Sequence, residues 1–366
     1  MKRPLRSTLQ FLASLVVGLG GVAAVLYFVG WRETLGEMRA LGPLGMLSVL
    51  GLVALPMLAW ILCWSVILYA QGIRIPLGRR VGAQLSGYSM TYLTPTMYFG
   101  GEPIRAFLVA DKERAPMTRV FATIIVERFL GGLSMVGFIL IGSFYAIVSP
   151  DLPANEKRLL IAGLAFVTFW IFVGLVNFAG NLKWVSRVVR FLGRPMPRWQ
   201  DALRRAADKI SETEDEVGIA FTKHWRATLV VLALQGVATL CAFMRPEVFF
   251  RFSAGHGFTF SQLSLLFTLN VLLSFFLWIT PGGLGTGEAG LIGIFHLIAP
   301  QATSGAVVAY SLVYKFAEWL LVIAGVVYML QRGMGFLGRR RAEPHPTRVP
   351  RHRPGAPTAG GRTDGP

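Results

Sequence analysis

Apolar runs long enough to cross a membrane recur along the whole chain, and this recurrence constrains the fold before any motif is considered. A hydrocarbon core of ~30 Å takes about 20 helical residues. Runs of that order lie at about 9 to 30, 44 to 70, 120 to 148, 158 to 180, 227 to 250 and 303 to 331. With 54% hydrophobic and only 15% charged residues among 366, a soluble domain would lack the polar surface it needs. Backbone N–H and C=O groups find no water in lipid, so such a chain folds as helices that satisfy their own hydrogen bonds. The first run follows Lys2, Arg3 and Arg6, but its length and the absence of a small-x-small cleavage site mark a retained span rather than a signal peptide.

Two further hydrophobic stretches are interrupted. The first, 81 to 110, is broken at Thr94-Pro95 and Gly100-Gly101, and the second, 261 to 299, at Thr280-Pro281-Gly282-Gly283-Leu284-Gly285. The expected fold is therefore all-α: a polytopic integral membrane helical bundle of about six full spans plus two re-entrant or broken helical hairpins.

Charge sets the expected orientation. The N-terminus, the 71 to 80 loop with Arg74, Arg79 and Arg80, and the Arg-rich C-terminal tail carry basic residues that the positive-inside rule places in the cytoplasm. The 31 to 43 loop balances Arg32 and Arg39 against Glu33 and Glu37, and 149 to 157 sets Lys157 against Asp151 and Glu156, so both face outward. The pattern closes only if each broken stretch enters and leaves on one side, the first opening to the cytoplasm and the second to the outside. The chain is thus expected to be multi-pass in the inner, or cytoplasmic, membrane with both termini cytoplasmic. The same rule accounts for the net charge of +17 without a nucleic-acid partner.

The two breaks are related in sequence. Thr94-Pro95 and Gly101-Glu102 recur as Thr280-Pro281 and Gly287-Glu288 with a shift of 186, and Val126-Glu127-Arg128-Phe129 is echoed by Val313-Tyr314-Lys315-Phe316 with a shift of 187. Copies that emerge on opposite sides form an inverted repeat, in which discontinuous helices meet around a substrate near the bilayer midplane. The expected substrate-binding residues are Gly100, Gly101, Glu102, Arg105, Glu127 and Arg128 in one copy, and Pro281, Gly282, Gly283, Gly285, Glu288 and Lys315 in the other. Proline stops the incoming half-helix and glycine turns the backbone. The half-helix that follows offers free N–H groups and a positive dipole end, a seat for phosphate.

Two roles stay open for Glu102 and Glu288: capping their own helices, or titrating and meeting an amine headgroup, as costly intramembrane acids do. Arg105, Arg128 and Lys315 either pair with intramembrane glutamates or bind an anionic phosphate. For Lys315 the alternatives are Glu318 or snorkelling to the interface. Arg245 and His296 fall near span ends, where interfacial placement is expected.

Elsewhere the reading is plain. The 181 to 225 segment is a cytoplasmic connector with helical spacing from Trp199 to Phe221, its Ala202, Ala206, Ile210 and Val217 sharing a face that suits a membrane surface or a solvated link. The membrane domain spans 1 to 332, and 333 to 366 is expected to be a disordered basic cytoplasmic tail. Cys63 and Cys241 lie in apolar segments as small core residues. No phosphate-binding loop, zinc motif, nucleophile elbow or dinucleotide fingerprint is present, so no catalytic residue, metal or cofactor is expected. The 41 glycines are spread through apolar helices, where close packing uses them.

At Phe99-Gly100-Gly101-Glu102-Pro103-Ile104-Arg105, at Val126-Glu127-Arg128, and at Thr280-Pro281-Gly282-Gly283-Leu284-Gly285-Thr286-Gly287-Glu288, the chain resembles the lysylphosphatidylglycerol synthase transmembrane region, a family also described as flippase-like. The resemblance covers about residues 10 to 331. It implies a membrane region that moves a polar lipid between leaflets; fused relatives add a soluble domain that attaches the amino acid, and a stand-alone membrane region without that domain is expected here. The family often carries Asp where Glu102 stands and a further Asp after the Glu-Arg pair, where this chain has Gly131. The expected function is translocation or binding of a polar or anionic lipid. The alternative is a lipid-modifying aminoacyl- or glycosyl-transferase, or its non-catalytic membrane partner in cell-envelope lipid synthesis. Membrane lipids are the expected partners, with a lipid-biosynthesis enzyme as a further one.

Overall fold

The computed structural model describes residues 19–94, 100–111, 115–148, 182–193, 200–277 and 280–342, with position 16 and scattered positions between 158 and 180. The chain is an all-α, polytopic membrane protein. Its described helices are α1 (Leu19–Val29), α2 (Trp31–Ala40), α3 (Gly42–Ala70), α4 (Leu77–Leu93), α5 (Glu102–Val109), α6 (Met117–Val148), α7 (Trp184–Gly193), α8 (Gln200–Thr222), α9 (Trp225–Ser253), α10 (Phe260–Leu277), α11 (Thr286–Ile298) and α12 (Ser304–Ala342). Four of them, α3, α6, α9 and α12, are long and apolar enough to cross a membrane. Of the other expected spans, 9 to 30 is described from Leu19, and 158 to 180 lies largely outside the described residues. The chain forms two units, Met1–Met329 and Leu330–Pro366. Helix α12 runs on to Ala342, past the expected change at 333; the rest of the expected tail lies outside the described residues.

The longest helices pack through small residues and rings. Helix α9 lies along α3, and α6 packs on both α9 and α10. Val49, Val53, Phe249, Phe250, Phe295 and Tyr310 form the largest buried cluster, with Phe250 stacked on Phe295 at 5.4 Å. A side chain at Gly142 of α6 would lie 2.4 Å from Ser264 of α10, so that glycine sets how close the two helices come.

Both interrupted stretches fold as hairpins of two helices, α4 with α5 and α10 with α11. Their mouths are pinned by side chains that reach across. Arg79 Nε donates to the Leu108 carbonyl at 2.8 Å in the first, and Gln262 Nε2 to the Ile298 carbonyl at 3.2 Å in the second. Helix α6 relates the two mouths. Arg119, at its start, donates to the Gln71 carbonyl beside the first mouth, while Gly142 meets Ser264 beside the second. Those positions are 23 residues apart. At a rise of ~1.5 Å per residue that is roughly 35 Å, the thickness of a membrane. The hairpins therefore open at opposite ends of α6.

The connector is two helices rather than one. Helix α7 rests on α8, and the Glu214 carboxylate of α8 accepts from the backbone N–H of Val185 at 3.1 Å and Ser186 at 3.3 Å, occupying the exposed donors of α7's first turn. The buried face of α8 runs through Ala207, Glu214 and Val217, and Ala206 is exposed. Phe221, near the end of α8, packs edge-on against Phe129 of α6 at 5.7 Å. Cys63 and Cys241 are both free and buried, Cys63 donating weakly to the Val231 carbonyl.

Candidate functional site

The first hairpin turns against its own incoming helix. Gly101 sits so close to α4 that a Cβ there would lie 1.9 Å from the Gly87 carbonyl oxygen, and its N–H donates to Thr91 Oγ1 at 3.1 Å. Helix α5 then starts at Glu102, with Pro103 in its first turn, where a missing N–H costs nothing. The Glu102 carboxylate accepts from the Gly100 N–H at 2.8 Å and forms an ion pair with Arg128 Nε of α6 at 2.9 Å. One turn along α5, the Arg105 side chain is buried, ion-paired with Glu127 and lying over the Trp64 ring at 4.4 Å. Trp64 is fixed in turn by Thr123, which accepts from its indole N–H at 2.9 Å.

The second hairpin repeats this construction with different parts. Pro281–Gly283 form a single 3-10 turn, and Gly282, Gly283 and Gly285 all have positive φ, which the absence of Cβ makes inexpensive. Thr280 Oγ1 donates to the Leu284 carbonyl at 2.8 Å, so the broken backbone is satisfied within the turn. Glu288 is fully buried three residues beyond Gly285. Its carboxylate accepts from the Gly285 N–H at 2.7 Å, from Lys315 Nζ of α12 at 2.6 Å and from Ser311 Oγ at 3.2 Å. Lys315 also donates to the Gly283 carbonyl at 2.9 Å.

Both glutamates thus do two jobs: each caps the turn that precedes it and each pairs with a cation on the next long helix. The two cations hold matching positions, Arg128 eleven residues after Met117, where α6 begins, and Lys315 eleven residues after Ser304, where α12 begins. The hairpin tips also touch. Gly282 packs against the Tyr92 ring of α4, and Tyr92 lies edge-on to Trp319 of α12 at 6.0 Å. Thr91 serves the first centre and Tyr92 the second, so α4 joins them.

The model of the family described as lysylphosphatidylglycerol synthase TM region matches residues 11–325, which include both centres. The chain belongs to this family. It is also similar to a UPF0104 membrane protein of Methanothermobacter thermautotrophicus, 24% identical over 326 residues, covering 85% of this chain and 92% of the relative. A UPF0104 membrane protein of Pyrococcus horikoshii is 20% identical over 329 residues, covering 87% of this chain and 96% of the relative. A third, from Methanocaldococcus jannaschii, is 26% identical over 251 residues, covering 67% and 72%.

The family motifs lead to the centres, but the pairing inside them is a tertiary fact. Lys315 bonds Glu288, not Glu318. Glu318 pairs instead with Arg245 Nη1 at 2.8 Å, and Arg245 lies over the Tyr314 ring at 5.1 Å while its carbonyl accepts from the Tyr314 hydroxyl. The expected interfacial placement of Arg245 is corrected: it is an internal residue, because Glu318 and the Tyr314 face supply the partners that water would otherwise provide. His296 does stay exposed, bonded to Ser304 at 3.1 Å. Where Gly131 replaces the family's further Asp, Gln235 occupies the space and donates to the Glu127 carbonyl at 3.4 Å. Arg128 keeps a carboxylate partner in Glu102. Each centre is then neutral, Arg105 and Arg128 with Glu102 and Glu127, and Arg245 and Lys315 with Glu288 and Glu318. Balanced pairs are what make such charges tolerable at membrane depth. Pro95 lies outside the described residues, and the backbone of Pro281 is in the 3-10 turn.

The two arginines of the first centre differ in access. Arg105 is fully buried, whereas the Arg128 side chain is 37% exposed against 10% for its partner Glu102. Sequence spacing gave them equal standing as phosphate ligands; the packing of Trp64 and Gly87 over Arg105 separates them.

Proposed function

We propose that the protein moves a polar or anionic lipid between leaflets of the inner membrane, with its headgroup passing between the two hairpin breaks. What carries this reading is the pair of like-built, charge-neutral centres, each at the tip of a hairpin and the hairpins opening at opposite ends of α6. In this reading the hairpins are an inverted repeat, and each gives the headgroup a route from one face. In this reading the first mouth and both termini face the cytoplasm, which the basic residues of the N-terminus, the 71 to 80 loop and the C-terminal tail support.

Glu102 and Glu288 act as internal stand-ins for the substrate's phosphate. Each carboxylate fills the turn N–H groups and neutralises the cation that an arriving phosphate would use. Substrate exchange swaps one anion for another, so neither Arg128 nor Lys315 is left bare in a medium of low dielectric. Arg128, the more open cation, makes the first contact. Arg105 positions α5 through Glu127 and Trp64 rather than touching the lipid.

The test is a leaflet-specific assay in proteoliposomes with fluorescent phosphatidylglycerol. The intact chain is expected to transfer it, with Arg128→Gln and Lys315→Gln each slowing transfer by about tenfold or more, the cost of a lost charge-assisted hydrogen bond. Transfer at an unchanged rate in both variants would sink the assignment.

A further inference from the structure

The buried cations of the two centres all have carboxylate partners. Arg80 does not. It is 7% exposed, three residues into α4, and no carboxylate lies within ion-pair distance among the described residues. Its Nε is buried with no hydrogen-bond partner among the described residues, and its guanidinium lies over the Tyr69 ring at 5.1 Å. One turn further along α4, Gln84 is 3% exposed with Oε1 unpartnered. A buried charge without a counter-ion beside an unpartnered carboxamide oxygen is expensive, and such a set persists when something supplies the missing partners.

We infer that Arg80, with Gln84, forms a binding site for a phosphate-type oxyanion at the mouth of the first hairpin. The planar guanidinium supplies a charged fork of donors and the Gln84 carboxamide can add its N–H₂, so the two together match the acceptor oxygens of a phosphate. Depth fits the class. Tyr69 is 56% exposed at the end of α3, where tyrosines mark the headgroup level of a bilayer, and Arg80 lies beside it. The site also leads inward. Arg80, Gln84, Tyr88 and Tyr92 fall every fourth residue on one stripe of α4, Tyr88 lies 6.1 Å from Trp60 and 6.0 Å from Tyr92, and Tyr92 touches the second break. The role of this mouth site as the place where a lipid docks before reaching the midplane rests on the translocation reading. Its oxyanion binding does not.

The experiment uses the full chain in maltoside micelles, free of phosphate, titrated with inorganic phosphate in one arm and dihexanoyl phosphatidylglycerol in the other. Binding is read by ³¹P line broadening of the probe and by the shift in melting temperature. Arg80→Gln is expected to weaken binding by about tenfold or more, as loss of a charge-assisted contact does, and Arg80→Lys to weaken it less. Arg74→Gln, which removes an exposed charge from the same loop, leaves it unchanged. Binding of both probes shows that the phosphate group itself is recognised, and binding of the lipid alone shows that the headgroup ester is. Equal affinity of the intact chain and Arg80→Gln, or no binding of either probe, overturns the site. Should Arg80→Gln not fold, Gln84→Glu decides: a carboxylate one turn from Arg80 fills the site from within, raising the melting temperature and abolishing binding, and retained binding overturns the proposal. Since nothing is transported in micelles, failure here and failure of the midplane reading show up in separate assays.

Discussion

Glu127 and Arg128 are neighbours in sequence at the first break, yet substitutions there have different expected costs. Glu127→Ala strands the fully buried Arg105 without its counter-ion. Removing one partner of such a pair costs about 3–5 kcal/mol, so thermal unfolding in detergent should show a large loss. Arg128→Gln opens a pair whose cation is 37% exposed, and its expected cost is about 1 kcal/mol or less. Equal destabilisation by the two would contradict this division between a positioning pair and an accessible one. The sequence could name all four charges of the first centre, because acids and bases inside apolar helices stand out. It could not say which pairs with which, since pairing depends on how α5 is rotated against α6.

At the scale of the element, α4 decides how closely the halves of the bundle approach. A Cβ at Gly325 of α12 would fall 2.2 Å from both the Leu85 carbonyl and Ser89 Oγ, and Ser86 and Ser89 donate to the Gly325 and Val322 carbonyls at 3.1 and 2.8 Å. Gly325→Ala therefore overpacks a backbone contact and is expected to cost about 1–3 kcal/mol. Gly132 of α6 meets nothing within 4 Å, and Gly132→Ala should be neutral or stabilising by up to about 1 kcal/mol in the same unfolding measurement. Both glycines sit in apolar helices and look alike in the sequence. What separates them is a neighbour more than two hundred residues away. The breaks themselves were legible, because proline and clustered glycine punctuate a helix wherever it lies. The division of the connector into α7 and α8 was not, because its logic rests on buried Glu214 capping another helix.

For the molecule as a whole, the two mouths should be reachable from opposite sides. Single cysteines at exposed Arg74 and Gln301, placed in a chain whose buried Cys63 and Cys241 are replaced, are expected to react with a membrane-impermeant maleimide from opposite faces. In sealed vesicles of one orientation one position labels and the other does not. Labelling of both from one face would overturn the arrangement derived from α6, which places Arg119 beside the first mouth and Gly142 beside the second.

The sequence by itself determined that this is a multi-pass helical membrane protein, where its helices break and which family it resembles. Those properties follow from run length, from proline and glycine chemistry and from local motifs, none of which needs a long-range contact. Only the tertiary structure decided that Lys315 takes Glu288 while Arg245 takes Glu318, that Arg105 is sealed beneath Trp64 while Arg128 stays open, and that Arg80 is buried with no carboxylate partner among the described residues. The physical reason is common to all of these. In lipid the cost of a charge is set by the partner it meets across the bundle, and that partner is fixed by helix rotation and depth rather than by distance along the chain.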